Sequence, residues 1–176
     1  MRLYICQTLD GFIAREDGSI DFLSEIEADV INSANDKIVN TYTNFMGDIE
    51  NVVEGYATYK QIFDMGYQDQ YANYNHYVIT NSHKDVVDPS VTAFIDFDQL
   101  QALDLDSSKT FLVGGSKIIR EAFSRKLITE VIITQLPILL GSGIKLFDRI
   151  DGAPHLEILD IFNDNRIYQV TYAVKY

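Results

Sequence analysis

The feature that most constrains this chain is an apolar strand that runs into two adjacent glycines and then directly into a helix. Residues 111–123 read FLVGGSKIIREAF, and the apolar residues after the glycines recur at helical spacing. Such a junction gathers unpaired backbone N–H groups and the positive end of a helix dipole, which suits a pyrophosphate. A plain tight turn with positive φ accounts for Gly114 and Gly115 equally well. The spacing is not the Rossmann G-x-G-x-x-G, so the glycines alone do not predict dinucleotide binding.

Strand-like and helix-like segments alternate along the chain, which predicts an α/β architecture with a largely parallel sheet. Pro137 predicts an edge position or a bend in the long strand that contains it. The last two strands are joined by a turn at 163–165 and predict an antiparallel hairpin. A loop is expected at 9–23, and strands are expected at 2–7, 51–55, 76–80, 91–95, 110–113, 130–140, 156–162 and 167–176.

The helices are predicted from their capping residues and apolar periodicity. Ser24 and Glu27 form a capping-box pattern, and apolar residues then recur at i+4 as far as Tyr42, which predicts one long first helix. A second helix is expected from residue 56 to a natural stop at Gly66. Asp96 opens a short helix with the same capping pattern. A further helix is expected to begin at residue 116.

Composition and charge limit the classes of function. With 176 residues and 47% hydrophobic residues, the chain is predicted to form one domain over 1–176. A net charge of −12 argues against non-specific binding to nucleic acid or to an anionic membrane. Any anionic ligand must therefore meet a local positive site. Cys6 is the only cysteine and lies in an apolar run, which predicts a buried thiol and a cytoplasmic protein.

Familiar catalytic signatures are missing from the sequence. His76, His83 and His155 have no partner at metal-ligand spacing on a shared helix, so no metal site is expected, and each is predicted to be exposed or hydrogen-bonded. Neither a G-x-S-x-G elbow nor a P-loop occurs. No run approaches about 18 apolar residues, so no membrane span is predicted.

Five segments in a fixed order resemble one known superfamily: TLDGFIA (8–14), DGSIDFL (17–23), EGYATY (54–59), FLVGGS (111–116) and ITEVIITQLPILLGSGIKLF (128–147). Together they resemble the dihydrofolate reductase-like superfamily, in particular its branch related to the C-terminal reductase domain of bacterial riboflavin biosynthesis, RibD. The resemblance implies a three-layer α/β/α fold. Its eight-stranded, mostly parallel sheet would end in an antiparallel hairpin, with NADPH across the carboxyl ends of the strands.

The resemblance also implies positions for the cofactor. The Gly-Gly turn would face the pyrophosphate, and a cis peptide would join its two glycines. Thr58 would lie near the phosphates, although it also reads as an ordinary helix-cap threonine. Thr80 would lie near the adenosine ribose, and Ile13 with Ala14 would meet the nicotinamide amide. The cofactor-binding positions carried over are Ile13, Ala14, Gly55, Thr58, Thr80, Val113, Gly114, Gly115, Ser116 and Lys117.

Two departures from the family pattern concern the choice between NADPH and NADH. Tyr56 stands where the family has arginine, and Asn81 stands at a second position that is often arginine. Both changes remove positive charge expected near the 2′-phosphate, so NADPH is expected with NADH as an alternative. Lys117 is the best replacement cation, with Lys84 and His83 behind it.

The implied activity is an NAD(P)H-dependent reduction of a small polar substrate, such as 5-amino-6-(5-phosphoribosylamino)uracil, held under the loop 10–23. Asp21 is the candidate catalytic residue, to orient the substrate or relay a proton, although a solvated loop aspartate fits as well. Apolar Ile26 stands where dihydrofolate reductases keep a carboxylate, which argues against folate reduction. A second cationic pocket for a phosphorylated substrate would draw on Arg15, Lys37 and Lys145.

A different class of function is a non-catalytic member of the same fold that binds a nucleotide or only oligomerises. Six tyrosines lie between Tyr56 and Tyr77, several of them in the segment 66–75, and could form an interface or pack internally. The C-terminal strands are a second candidate surface, as in relatives. A homodimer is therefore the expected assembly.

Overall fold

A computed structural model describes residues 1–26, 36–163 and 167–176, with the side chains of 25–26 and 36–40 left out. Within these ranges the chain forms ten strands and five α-helices, with a short 3₁₀ helix at Ser107–Lys109. The strands are β1 Arg2–Thr8, β2 Phe12–Ala14, β3 Asn51–Gly55, β4 Asn75–Ile79, β5 Ala93–Ile95, β6 Thr110–Gly114, β7 Glu130–Leu136, β8 Ile144–Lys145, β9 His155–Asn163 and β10 Tyr168–Lys175. The helices are α1 Asp21–Ile26, α2 Asp36–Gly47, α3 Tyr56–Asp64, α4 Phe97–Ala102 and α5 Ser116–Ser124.

Eight strands form one sheet in the order β5-β4-β3-β6-β1-β7-β10-β9. The first six strands in this order run parallel to one another, whereas β10 runs antiparallel to both β7 and β9. The predicted mostly parallel sheet with a C-terminal antiparallel hairpin is therefore confirmed. Parallel order brings the carboxyl ends of β3, β6 and β1 to one edge of the sheet.

Helices cover both faces of the sheet because the central strands are apolar on both sides. Val53 packs in one cluster with Ile119 of α5, whereas its neighbour Val52 packs on the opposite face with Phe45 of α2. Both valines are fully buried, and burial of such a side chain stabilises the fold by roughly 1.5–3 kcal/mol. Tyr59 of α3 packs on the α2 side, against Val78. The three-layer arrangement is confirmed.

Two predicted helix ends agree with the structure. The Asp96 carboxylate accepts the backbone N–H of Gln99 at 2.8 Å, and the Gln99 side chain accepts the N–H of Asp96 at 3.1 Å. This reciprocal box opens α4. At the end of α3, Gly66 follows the C-cap residue Met65 with a φ of +83°. A glycine there takes the left-handed conformation without steric cost.

The predicted start of the first helix is wrong. Ser24 lies inside α1, which begins three residues earlier at Asp21. The carboxylate of Asp21 in the first turn favours this start because it faces the positive end of the helix dipole. Residues 27–35, including Glu27, lie outside the described part of the chain, and α2 begins at Asp36. The predicted single helix to Tyr42 is thus described only at its two ends.

Other boundaries also differ from the prediction. The expected loop 9–23 contains β2, which pairs antiparallel with β8 in a two-stranded sheet. The strand expected at 130–140 ends at Leu136, because Pro137 has no N–H for a ladder. This strand lies between β1 and β10, so the edge alternative for it is wrong. Cys6 is half-buried rather than buried.

Candidate cofactor and substrate site

Two helix N-termini meet where the neighbouring strands β3 and β6 end. The strands pair in parallel with Glu54 opposite Gly114, and each leads directly into a helix. The N-cap of α3 is Gly55 and that of α5 is Gly115, and neither has a side-chain hydrogen bond to its helix. The N–H groups of two first turns and the positive ends of two dipoles therefore converge.

The glycines allow the two turns to approach closely. A Cβ on Gly55 would lie 3.2 Å from Ile118 Cγ2 and 3.7 Å from the carbonyl oxygen of Gly114. A Cβ on Gly115 would lie 3.4 Å from Thr58 Oγ1. The Thr58 hydroxyl thus lies beside the Gly-Gly turn. The Gly114–Gly115 peptide is cis, as predicted.

The other predicted residues of this turn lie in different environments. Lys117 is exposed in the first turn of α5, and Ser116 is half-buried at its first position. Val113 is half-buried and packs against the cluster on the α2 side. Of these three, Lys117 alone brings a positive charge to the converging helix ends.

The candidate adenosine end is built by the segment 80–92 that joins β4 to β5. Thr80 Oγ1 accepts the backbone N–H groups of Ser82 at 3.2 Å and His83 at 3.1 Å, which makes a tight turn. The His83 ring stacks on Tyr56, with ring centroids 3.9 Å apart and an interplanar angle of 8°. Tyr56 therefore joins this segment to α3.

Lys84 does not supply a free charge at this end. Its Nζ donates to Asp96 Oδ2 at 2.6 Å and to Gln99 Oε1 at 2.9 Å. These are the two residues that cap α4, so the lysine belongs to that cap. His83 and Lys117 are the replacement cations that lie toward the helix ends.

At the other end, Ile13 and Ala14 lie in β2, which pairs with β8. A Cβ on Gly143, just before β8, would lie 2.3 Å from the carbonyl oxygen of Ala14. No side chain fits at that distance, and the φ of Gly143 is +153°. Gly143 therefore lets the backbone of 143 pass directly against the segment predicted to meet the nicotinamide.

Asp10 joins the same two segments. Its carboxylate accepts the N–H of Gly141 at 2.7 Å, the N–H of Leu140 at 3.1 Å and the Thr8 hydroxyl at 2.6 Å. The hydroxyl of Thr8, followed by these backbone donors, lowers the pKa of Asp10 to about 2. The ionised carboxylate thus connects the end of β1 to the turn before β8. Neither Asp10 nor Gly143 was among the predicted site residues.

Asp21 is the first residue of α1 and is paired with a cation. Arg15 Nε donates to Asp21 Oδ1 at 2.6 Å. This contact lowers the pKa of the Asp21 carboxyl, so the group stays ionised near neutral pH. The loop before it lies against α3, because Gln61 Nε2 donates to the carbonyl oxygen of Gly18 at 3.0 Å. An ionised, half-exposed carboxylate suits the orientation of a polar substrate better than proton donation.

The three cations expected to form a second pocket are not brought together by described side chains. Arg15 is engaged with Asp21, and Lys145 is exposed in β8. The side chain of Lys37 in α2 lies outside the description, as does that of Ile26.

The fold and the sequence agree with known proteins. A candidate riboflavin biosynthesis protein from Shewanella sp. PV-4 superposes with a TM-score of 0.82 over 99% of this chain and 98% of that chain, at 23% identity. Dihydrofolate reductase from Enterococcus faecalis, complexed with NADP(H), gives a TM-score of 0.66 over 99% and 96%, at 17% identity. These likenesses establish the fold, and the predicted dihydrofolate reductase-like fold is confirmed.

No protein-family model matches the sequence. YwjB of Bacillus subtilis (strain 168), an uncharacterized protein, is 31% identical over 174 residues, which are 97% of this chain and 95% of YwjB. The chain belongs to the same protein family as YwjB.

The last predictions to compare with the structure concern metal ligands, the three histidines and membrane spans. Within residues 1–26, 36–163 and 167–176, no three His, Cys, Asp or Glu side chains are grouped to hold a metal ion. His76 is buried and hydrogen-bonded, whereas His83 and His155 are exposed. Among the described helices, none has both the length and the apolar character needed to cross a bilayer.

Proposed function

We propose that this protein is an NAD(P)H-dependent reductase that transfers a hydride to a small polar heterocycle. One observation carries the proposal: two helices start side by side, and the N-cap residue of each is a glycine that gives no side-chain hydrogen bond to its helix. In a chain with a net charge of −12, this is a local positive site that suits a diphosphate. The nicotinamide cofactor supplies the hydride when it is bound.

The residues of this chain would hold and orient the cofactor. Backbone N–H groups after Gly55 and Gly115, with the Thr58 hydroxyl, would donate to the diphosphate. Because neither glycine carries a Cβ, the two helix starts lie close enough together for one diphosphate to contact both. The backbone of Ile13 and Ala14 would pair with the carboxamide, and its position is fixed by β8 and Gly143.

The substrate would lie beside the loop that ends at Asp21. The ion pair with Arg15 holds the Asp21 carboxylate at the start of α1, where it accepts hydrogen bonds from a ring N–H or an amino group. Pterins and aminopyrimidines carry such donors. Asp21 then acts as an orienting group, with hydride transfer favoured by alignment rather than by proton donation.

The cofactor preference depends on how few cations remain at the adenosine end. Tyr56 and Asn81 replace the basic residues of the family pattern, and Lys84 is bound to the α4 cap. We expect NADPH to be preferred through Lys117 and His83, by a smaller factor than two arginines would give. NADH is the second candidate cofactor.

Titration with NADPH and NADH, followed by nicotinamide fluorescence, tests the proposal, and the absence of tryptophan leaves that signal clear. Saturable binding is expected, followed by oxidation of the cofactor with an aminopyrimidine such as 5-amino-6-(5-phosphoribosylamino)uracil or with a pterin. No binding to either cofactor would reject the reductase assignment. Binding without turnover of any compound would support the non-catalytic alternative.

We also propose a homodimer through β9, the last strand of the sheet. Its burial pattern is exposed at eight of nine positions. On one face of β9, three apolar side chains lie beside β10 residues that are buried or half-buried. Two of these β10 residues belong to the main core. The three apolar side chains of β9 are Leu156, Ile158 and Ile161, which are 43%, 56% and 60% exposed.

A second copy would offer both the same apolar row and the same unpaired strand edge, so one two-fold contact covers both. The segment 66–75 is a weaker candidate, because its Tyr71 is buried in the protein. Sedimentation velocity should show a dimer that Ile158→Lys dissociates. Glu157→Lys, on the opposite face, is the matched control and should leave the dimer intact. A monomeric wild-type protein would exclude the contact.

A further inference from the structure

A carboxyl and an imidazole are buried together between β3 and β4. Glu54 is 0% exposed and His76 is 2% exposed. Glu54 Oε1 and His76 Nε2 are 2.7 Å apart, and His76 Nδ1 lies 3.2 Å from the carbonyl oxygen of Ser90. The second carboxyl oxygen, Glu54 Oε2, has no hydrogen-bond partner among the described residues.

The geometry fixes the number of protons in this pair. A carbonyl oxygen only accepts hydrogen bonds, so Nδ1 must carry a hydrogen that it donates to Ser90. One proton then lies between Oε1 and Nε2, because two bare acceptors would repel each other at 2.7 Å. The pair is therefore either a carboxylate with an imidazolium or a neutral carboxylic acid with a neutral imidazole.

The unpartnered oxygen favours the neutral form. In the ionic form, Oε2 would carry part of a full negative charge in a buried position without a donor, which is costly. In the neutral form, Oε2 is the carbonyl oxygen of an acid and its desolvation costs less. Burial raises the pKa of Glu54, and the hydrogen bond and charge of His76 oppose that shift.

The surroundings supply little to stabilise an imidazolium. The Tyr71 ring meets the His76 ring edge-on, at 5.5 Å between centroids. Asp88 is a carboxylate that lies close enough to interact with His76. Its oxygens already accept the Tyr59 hydroxyl at 2.7 Å, the Ser90 N–H at 2.8 Å and the Ser90 hydroxyl at 2.7 Å. Tyr59 and Tyr71 are neutral at and well above neutral pH, because burial raises the pKa of both phenols above the usual value.

The pair also holds the segment 80–92. Besides the bond from Nδ1 to Ser90, the backbone N–H of His76 donates to Thr92 Oγ1 at 3.0 Å, and the N–H of Thr92 donates to the carbonyl oxygen of His76 at 2.7 Å. Asp88 connects the same segment to α3 through Tyr59. This segment carries Thr80 and His83 of the candidate adenosine end.

We propose that Glu54 and His76 form a neutral acid–imidazole pair that positions the segment 80–92, and that loss of its shared proton at alkaline pH loosens this segment. Any effect of this pair on nucleotide binding rests on the proposed function. The proton state of the pair and the loosening of the segment 80–92 do not. Removal of the proton would leave two acceptors facing each other and a buried carboxylate with no donor. Glu54 is thus a positioning residue.

The direction of the pH effect follows from the raised pKa. The folded protein holds the Glu54 proton more tightly than the unfolded chain does. The stability contributed by the Glu54 carboxyl is therefore fully present below its unfolded pKa and is lost as pH rises through its folded pKa. Glu54→Gln has no such proton to lose, and its amide can donate to Nε2 just as the acid does.

Nitrogen-15 spectra of the histidine rings test the proton state directly. At about pH 7 we expect His76 to be neutral with its hydrogen on Nδ1. His83→Asn and His155→Asn, at exposed positions, assign the remaining signal to His76. Two protonated ring nitrogens in His76, as in an imidazolium, would overturn the proposal.

Thermal unfolding of Glu54→Gln tests the same point independently. We expect its Tm to stay within about 3 °C of the wild type near neutral pH and to exceed it at about pH 9. If the pair were ionic, the substitution would lower the folding equilibrium constant about a hundredfold or more. That loss would overturn the proposal. Glu50→Gln removes a surface carboxylate bound to Lys109 and is the matched control, with little change expected.

Amide hydrogen exchange in 80–92 tests the positioning role without any ligand. After correction for intrinsic rates, exchange in the wild type should be about tenfold faster at about pH 9 than at about pH 7, and unchanged in Glu54→Gln. Equal acceleration in both proteins, or none in the wild type, would overturn the link to this segment. Neither result depends on NADPH binding, so a failure of the proposed function would be seen separately.

Discussion

Every helix begins with backbone N–H groups that have no partner within the helix. The start of α4 differs from the starts of α3 and α5 in how these groups are treated. In α4, Asp96 and Gln99 supply a complete capping box from side chains of the protein. In α3 and α5, the N-cap is a glycine, which has no side chain to accept the N–H groups of the first turn. The difference teaches that this chain can cap a helix with its own side chains, as it does at α4, and does not do so at α3 and α5. The last two helices start side by side, at the carboxyl ends of two neighbouring strands.

The turn before β8 makes the same point. There the Asp10 carboxylate accepts two backbone N–H groups, from Leu140 and Gly141. Carboxylates are abundant in this acidic chain, and at these places they occupy exposed backbone donors. At the Gly55 and Gly115 turns the N-cap residue has no carboxylate, so the backbone N–H groups there remain as donors for an anion from outside the protein.

The largest effect is expected when a cap is added where none exists. Gly115→Asp would place a carboxylate at the N-cap of α5 and should lower NADPH affinity about 100-fold, because two anions would compete for the same donors. Gly115→Asn has the same size without the charge and should cost about tenfold. Fluorescence titration measures both. Equal losses in the two variants would show that bulk rather than charge matters there.

A smaller effect is expected from the cation beside the uncapped turn. Lys117→Ala should weaken NADPH binding about 5- to 10-fold and NADH binding less than about twofold, because only NADPH has the 2′-phosphate. Lys60→Ala removes an exposed positive charge in the middle of α3, where Lys60 pairs with Asp64, and serves as the control. An equal loss for both cofactors would place Lys117 at the diphosphate instead.

Removal of the existing cap should affect stability and not binding. Asp96→Ala takes away the acceptor for the Gln99 N–H and should lower Tm by about 2–4 °C, with NADPH affinity unchanged within about twofold. Asp96→Asn retains a capping oxygen and should recover most of the loss. Differential scanning calorimetry gives the first quantity. A tenfold change in affinity would mean that release of Lys84 matters for the site.

The smallest effect is a pH dependence at the Asp10 turn. The pKa of Asp10 is lowered from 3.8 to about 2. The ionised carboxylate therefore stabilises the folded protein at every pH above the unfolded pKa of 3.8, and this stabilisation is lost as the pH falls toward 2. Asp10→Asn should remove that part of the acid dependence. Acid titrations followed by circular dichroism compare the two proteins. Identical acid midpoints would show that other carboxylates control acid unfolding.

The overall fold was largely accessible from the sequence, because long apolar runs and caps are local signals. Asp96 with Gln99, the stop at Gly66 and the FLVGGS junction each lie within a few residues. Ser24 with Glu27 shows the limit of such signals, since a capping pattern matched while Asp21 began the helix. The strands β2 and β8 are three and two residues long, and their pairing links positions about 130 residues apart, so no local pattern shows them.

The part of the site that consists of backbone turns was predictable from the sequence. The part formed by side chains from separate strands was not. Gly55, Thr58 and Gly115 carried over from family segments, and the structure brings them together. Glu54 and His76 come from separate strands whose register makes them diagonal neighbours, since Glu54 pairs with Val78 and His76 with Val52. A lone glutamate in the apolar run NVVEG was the available signal. It marks a buried acid but does not reveal its partner.

Gly143 has a consequence for how this sequence can vary. A Cβ there would stand 2.3 Å from the Ala14 oxygen, well inside contact distance, and neither backbone segment can retreat without separating β2 from β8. In a library covering every position, selected only for folded protein, 143 should return glycine almost alone. Gly47, which has open space around it, should accept many residues.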